Sequence, residues 1–119
     1  MQTDLDARNV SESLPDRRRH ARYRFTVPIN IYPADGVGIP GISLEISESG
    51  LSAITATSLQ LGAIVELEPV LASRVSAIVR HNVGRLYGFE FLNLTTEQTS
   101  QIKESCKTRS RYLSGTLGI

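Results

Sequence analysis

The chain has 119 residues, 40% of them hydrophobic and 21% charged, the proportions of one ordinary globular domain rather than of a disordered polymer. A net charge of +1 excludes a polyanion binder that works through overall charge. One cysteine and two histidines exclude an internal disulfide and the usual four-ligand zinc site. No apolar run approaches the ~20 residues of a membrane-spanning helix, and a start containing Asp4, Asp6 and Arg8 does not read as a signal peptide. A cytoplasmic setting without membrane insertion is therefore expected.

In chain order, residues 1–15 are polar and aperiodic and read as a flexible leader. The domain proper is expected over residues 16–108, and 109–119 is a tail without a recognisable pattern. Five of the 13 Lys and Arg residues crowd into Arg17 to Arg24. From Phe25 the pattern has period two: Phe25, Val27, Ile29 and Ile31 on one face, Thr26, Pro28 and Asn30 on the other. Pro28 argues for an edge or bulged position. A turn at Ala34-Asp35-Gly36-Val37-Gly38 leads to a second strand, in which Ile42, Leu44 and Ile46 alternate with Ser43, Glu45 and Ser47. The alternation places the first three inward. Glu48-Ser49-Gly50 turns the chain, with Gly50 suited to positive φ. A third strand is expected over Leu51–Thr57 and a fourth over Ala63–Glu68, ended by Pro69. Val75, Ala77 and Val79 mark a fifth. Asn82-Val83-Gly84 reads as a hairpin turn, and Arg85–Leu92 as a sixth strand with Tyr87, Phe89 and Phe91 on one face.

The period then changes. Thr95-Thr96-Glu97-Gln98 has capping-box spacing, and Ile102 and Cys106, four apart, mark the buried side of a short helix ending near Lys107 to Arg109. The fold class read from these elements is all-β with a C-terminal helix, a six-stranded antiparallel barrel or a sandwich. With Trp absent and aromatics few, Val, Ile and Leu are expected to make the core.

Two stretches carry chemistry. A guanidinium is always charged, forks onto phosphate or a guanine edge, and stacks on a purine face. Arginines four apart on an extended segment lie about 13 Å from each other, a span suited to straddling a dinucleotide. Glu45 and Ser47, two apart on a strand, share a face. A carboxylate accepts only, which matches the N–H groups of a guanine edge. Gly50 lets a ring or a backbone approach closely. No Ser/His/Asp or Cys/His set and no GxxxxGK loop is present, so no enzyme is expected.

The string Arg17-Arg18-x-x-x-Arg22, then 22 residues, then Glu45-x-Ser47-x-x-Gly50 resembles the PilZ domain, whose signature is RxxxR followed by [DN]xSxxG. Gly88-Phe89-Glu90-Phe91 and the closing helix also look PilZ-like. The resemblance implies a six-stranded PilZ-like barrel that binds cyclic di-GMP without altering it, and without a cofactor or a metal. It also implies a ligand site of Arg17, Arg18, Arg22, Glu45, Ser47 and Gly50. Binding would order Asp16–Tyr23 against the barrel and signal to a downstream protein, the domain acting as monomer or dimer. Glu45 departs from the family's Asp or Asn: its carboxylate stands one methylene, about 1.5 Å, farther from the backbone. That departure keeps open a PilZ-like adaptor that binds protein and ignores nucleotide. The arginine cluster keeps open a small nucleic-acid-binding barrel, against which the net charge argues. His81 falls loosely where the family often has an aromatic, and His20 reads as a loop residue.

Overall fold

The computed structural model describes residues 20–108. Among these residues there are seven strands, the longer ones burying alternate side chains: β1 (Tyr23–Arg24), β2 (Pro28–Tyr32), β3 (Ile39–Ile46), β4 (Gly50–Ile54), β5 (Ile64–Val70), β6 (Ser73–Val83) and β7 (Leu86–Leu92). One helix, α1 (Thr96–Thr108), follows. The order β1-β3-β2-β5-β6-β7-β4, with β4 pairing back onto β3, closes β2 to β7 into a six-stranded antiparallel barrel. Closure leaves no free edge along the wall. β1 is the outer strand, paired to the far end of β3 through Tyr23↔Ile46 and Arg24↔Glu45. That pairing lays the chain segment bearing His20 and Arg22 on the barrel wall.

The interior is filled from every strand of the barrel, with Ile31, Ile46, Ala53, Leu67, Val79 and Phe89 among the buried side chains. Phe25, Phe89 and Phe91 are all buried, so the core is not aliphatic alone. α1 packs Ile102 and Cys106 onto it, as their spacing requires. Its capping box is formed: Gln98 N–H donates to Thr95 Oγ1 at 3.0 Å, and Thr95 N–H donates to Gln98 Oε1 at 3.0 Å.

Several local expectations are corrected. β4 ends at Ile54 rather than Thr57. Pro69 lies within β5, beside an irregularity between Leu67 and Val70, and does not end it. The β6–β7 hairpin turns through Gly84 and Arg85, flanked by the Val83↔Leu86 pair; Asn82 stays in β6 and donates from Nδ2 to the Gly84 carbonyl at 2.8 Å.

The correction that matters for function is in β3. Ile42 is 43% exposed and Ser43 is fully buried, the reverse of simple alternation. The register runs Ser43↔Ala53 and then Glu45↔Ser52, so Leu44 is an extra residue. A bulge of this kind swaps which face the later side chains take. Ile46 consequently does point inward, opposite Leu51, while Glu45 points outward with Ser52. The buried Ser43 hydroxyl serves the matching break between β1 and β2. It donates to the Phe25 carbonyl and accepts from Val27 N–H at 3.1 Å. Around it, Phe25 N–H reaches the Leu44 carbonyl and Ser43 N–H the Val27 carbonyl, each at 2.9 Å. Two irregular stretches thus share one side chain that satisfies their backbone groups.

Candidate ligand-binding cleft

The bulge aims Glu45 at a cleft of about 410 Å³ on the barrel wall. The cleft is walled by the β3–β4 turn and by the facing parts of β6 and β7, with His20 and Arg22 along one side. Three of its residues, Glu45, Ser47 and Gly50, come from one half of the sequence pattern, and Arg22 comes from the other. The fold therefore brings together residues 23 positions apart, through the β1–β3 pairing.

Arg22 and Glu45 meet directly. Arg22 Nη1 donates to Glu45 Oε1 at 2.5 Å; the carboxylate side chain is 3% exposed and the guanidinium 28%. Glu45 is on the outer face, as its alternation with Ile46 implies, yet it is covered rather than open. A buried carboxylate needs a counter-charge and hydrogen bonds, and Arg22 supplies both. The longer Glu side chain is the one that spans to Arg22. A guanidinium carries five N–H donors in a planar fork. One Arg22 nitrogen serves Glu45 while the half-buried remainder borders the cleft.

Ser47 and Gly50 prove to be turn builders as well as cleft residues. Ser47 Oγ accepts from the N–H groups of Ser49 and Gly50, each at 3.2 Å, and Ser47 N–H donates to the Gly50 carbonyl at 2.8 Å. The hydroxyl therefore braces the β3–β4 turn. Gly50 does not adopt positive φ; that conformation falls to Gly36, Gly62 and Gly84. Its reason is close approach: a Cβ built on Gly50 would lie 2.1 Å from the Phe89 carbonyl oxygen.

Arg17 and Arg18 lie outside the described residues. The structure adds residues to the cleft beyond the two halves of the motif. Glu48, in the turn, stands 3.7 Å from His20 Nε2. Across the cleft, Arg80 Nε donates to Glu90 Oε1 at 2.7 Å, both side chains about half exposed. The β6–β7 register shifts between Val79 and His81, and the His81 ring then rests on Gly88, where an added Cβ would come within 3.2 Å of His81 Cδ2. In sequence Arg80, Glu90 and Glu48 are ordinary surface charges; only the register of β6 on β7, and of β7 on β4, places them on one cleft.

The sequence model of the PilZ domain matches residues 16–108. Among solved structures, Bacillus subtilis Inhibitor of motility (MotI/DgrA) superposes with a TM-score of 0.62 at 19% identity, over 77% of this chain and 50% of that one. The PilZ domain of YcgR from Escherichia coli with c-di-GMP superposes at 0.61 and 17% identity, over 79% and 92% of the two chains. The PilZ domain of CeSA from a cellulose-synthesizing bacterium gives 0.57 and 18%, over 71% and 92%. At these identities the likeness is one of fold. The chain spans half the length of MotI/DgrA and 45% of the longer YcgR chain solved in complex with c-di-GMP. No curated protein matches the sequence.

Proposed function

The chain belongs to the PilZ domain family, and on that premise we propose that it is a cyclic di-GMP receptor whose arginine segment closes on the ligand over the cleft beside β3. One observation carries the reading: Arg22 and Glu45, from the two halves of the motif, meet at 2.5 Å on the edge of a cleft of about 410 Å³. Two solved relatives, the isolated PilZ domain of YcgR and a longer YcgR chain, hold c-di-GMP.

The chemistry follows from the side chains. The ligand has two phosphates and two guanines. Arg22 keeps N–H groups beyond the one given to Glu45, and these suit a phosphate oxygen or a guanine O6 and N7 edge. Arg17 and Arg18 would supply further forks from the same segment. Glu45 is the buried counter-charge of Arg22 while no ligand is present. The braced Ser47 turn, and the close approach of β4 to β7 that Gly50 permits, fix the shape of the wall against which a flat ring would lie. The receptor does no chemistry on its ligand, and closure of the arginine segment gives a downstream protein a new surface to read. Titration calorimetry with cyclic di-GMP tests the reading. Binding in the micromolar range or tighter supports it; no binding at tens of micromolar, by heat or by a second method, rejects it.

The same ion pair favours a second reading, since the motif carboxylate already has a partner without any nucleotide. In that reading the domain is an adaptor that binds protein through this wall. A pull-down enriching one partner equally with and without nucleotide, and from an Arg18→Ala/Arg22→Ala variant, would select it.

A further inference from the structure

The outside of the barrel carries an apolar row that the ligand site does not use. Pro28↔Ile42, Ile42↔Ile54, Ile54↔Leu86 and Val83↔Leu86 are paired in turn, across β2, β3, β4, β7 and β6. Residues directly opposite each other share a face of the sheet. Here that face is the outer one: Ile42 is 43% exposed, Ile54 39% and Val83 75%. A single exposed isoleucine needs no explanation, but apolar residues in register form a patch, and patches mark contacts.

The middle of the row is concave. Ile42 and Ile54, with Pro28, Pro40 and Ala56, line a groove of about 360 Å³. In strand order its two ends are polar. At one end, Arg85 in the β6–β7 turn is exposed and makes no ion pair among the described residues. At the other, exposed Asn30 on β2 is paired with Glu68 on β5. Glu68 is half-exposed, and Arg74 reaches it only at 3.6 Å while lying closer to Glu66. The groove shares no lining residue with the ligand-binding cleft.

An occupant must bring apolar surface to the middle, an acceptor to Arg85 and a cation to the Asn30 end. The groove itself meets all three needs once it is turned about a two-fold axis through its middle. Isoleucines then face isoleucines, and Arg85 of each copy comes to Asn30 and Glu68 of the other. A two-fold contact uses one surface twice, so each complementary pair is made twice. A guanidinium donating to an amide oxygen, with a carboxylate beyond it, is a charge-assisted contact. The net charge of +1 sets little self-repulsion against it.

We propose that this groove is a self-association surface, on which a second copy of the chain docks about a two-fold axis. Ile42 and Ile54 meet their counterparts, and Arg85 meets the Asn30 end of the other copy. The association needs no nucleotide and leaves the cleft open, so it stands or falls apart from the receptor reading.

The test is sedimentation equilibrium of the 119-residue chain without nucleotide, from about 1 μM to about 1 mM. A monomer–dimer equilibrium is expected. Ile54→Ser should weaken it about tenfold or more, because each dimer loses two buried isoleucines. Arg85→Glu and Asn30→Lys should each weaken it too, the first by facing Glu68 with a carboxylate and the second by facing Arg85 with an ammonium. Mixed in equal parts, these two variants should associate more tightly than either does alone, since the new carboxylate of one then meets the new ammonium of the other. All three positions are exposed, and circular dichroism checks that the variants stay folded. A chain that remains monomeric throughout overturns the proposal, whether its groove is covered by residues 1–15 or kept for a different protein. A dimer that Ile54→Ser leaves intact, or charge variants that fail to rescue each other, overturns it as well.

Discussion

Arg22 Nη1 lies 2.5 Å from Glu45 Oε1, and the two partners are unequally exposed: the carboxylate is nearly sealed, the guanidinium is not. Losing either partner is therefore not symmetric. Arg22→Ala strands a buried carboxylate and should destabilise the domain by about 1–3 kcal/mol. Glu45→Gln leaves an amide oxygen to accept from an arginine that already reaches water, and should cost less. The double variant Arg22→Ala/Glu45→Gln removes the stranded charge and should recover most of the stability. Urea denaturation reads all three. Neither Arg22→Ala variant should bind cyclic di-GMP, which separates the pair's structural share from the ligand share carried by Arg22.

Glu45→Asp restores the family's shorter side chain and retracts the carboxylate by about 1.5 Å. It should break the direct contact with Arg22, cost about 1 kcal/mol, and tighten cyclic di-GMP binding by freeing the arginine fork. Paired calorimetric titrations give the comparison. Equal or weaker affinity in Glu45→Asp would mean that the longer side chain already holds Arg22 where the ligand needs it.

The barrel, the closing helix and its cap were legible because each rests on a local rule: period two, a turn every ten or so residues, Thr95 answered by Gln98. Of the motif residues, Arg22, Glu45, Ser47 and Gly50 meet on one cleft, an arrangement that their order in the sequence does not show. Alternation across Ile42, Leu44 and Ile46 assumes an unbroken ladder, and the extra residue at Leu44 breaks it, exposing Ile42 and burying Ser43. Nothing local announces that bulge. Gly50 was rightly singled out for close approach, but the positive φ also expected of it is not adopted. The glycine answers to the Phe89 carbonyl, a neighbour 39 residues on, read from β4–β7 pairing alone. Glu45 is paired with a residue 23 positions earlier, which no period can show.

Ser43→Ala should test whether the break between β1 and β2 is held from β3. The substitution leaves Val27 N–H and the Phe25 carbonyl without the hydroxyl that now serves both. A loss of about 1–3 kcal/mol is expected, concentrated locally. Hydrogen exchange should speed up at the Val27 amide and through Tyr23–Arg24 well before it does in β6 or β7. Uniform acceleration across the barrel would show that Ser43 supports the whole fold rather than this junction.

The β5–β6 turn carries Leu71 at φ 57° and Ala72 at φ 85°, a left-handed pair without glycine. Such backbone costs an L-residue about 1–2 kcal/mol per position. Leu71 is half-buried against the core, but Ala72 is exposed. Ala72→Gly should therefore stabilise the domain by about 0.5–1 kcal/mol, after the unfolded-state entropy of glycine is subtracted. A higher urea midpoint with an unchanged slope is the expected readout.

Two glycines separate conformational need from steric need. Gly36 has φ +86° and open space around its missing Cβ, so Gly36→Ala should cost only the left-handed backbone term, about 1–2 kcal/mol. Gly50 has ordinary φ but a carbonyl oxygen 2.1 Å from where a Cβ would stand. That oxygen belongs to β7 backbone and cannot swing aside as a side chain does. Gly50→Ala must pry β4 from β7 beside the cleft, and should cost about 3 kcal/mol or more, the upper end for overpacking. It should weaken cyclic di-GMP binding even in the molecules that remain folded, because the Ser47–Gly50 turn moves with the strand. If Gly50→Ala instead matched Gly36→Ala in its urea midpoint, β4 and β7 would have to be far more yielding at Gly50↔Glu90 than this close approach implies.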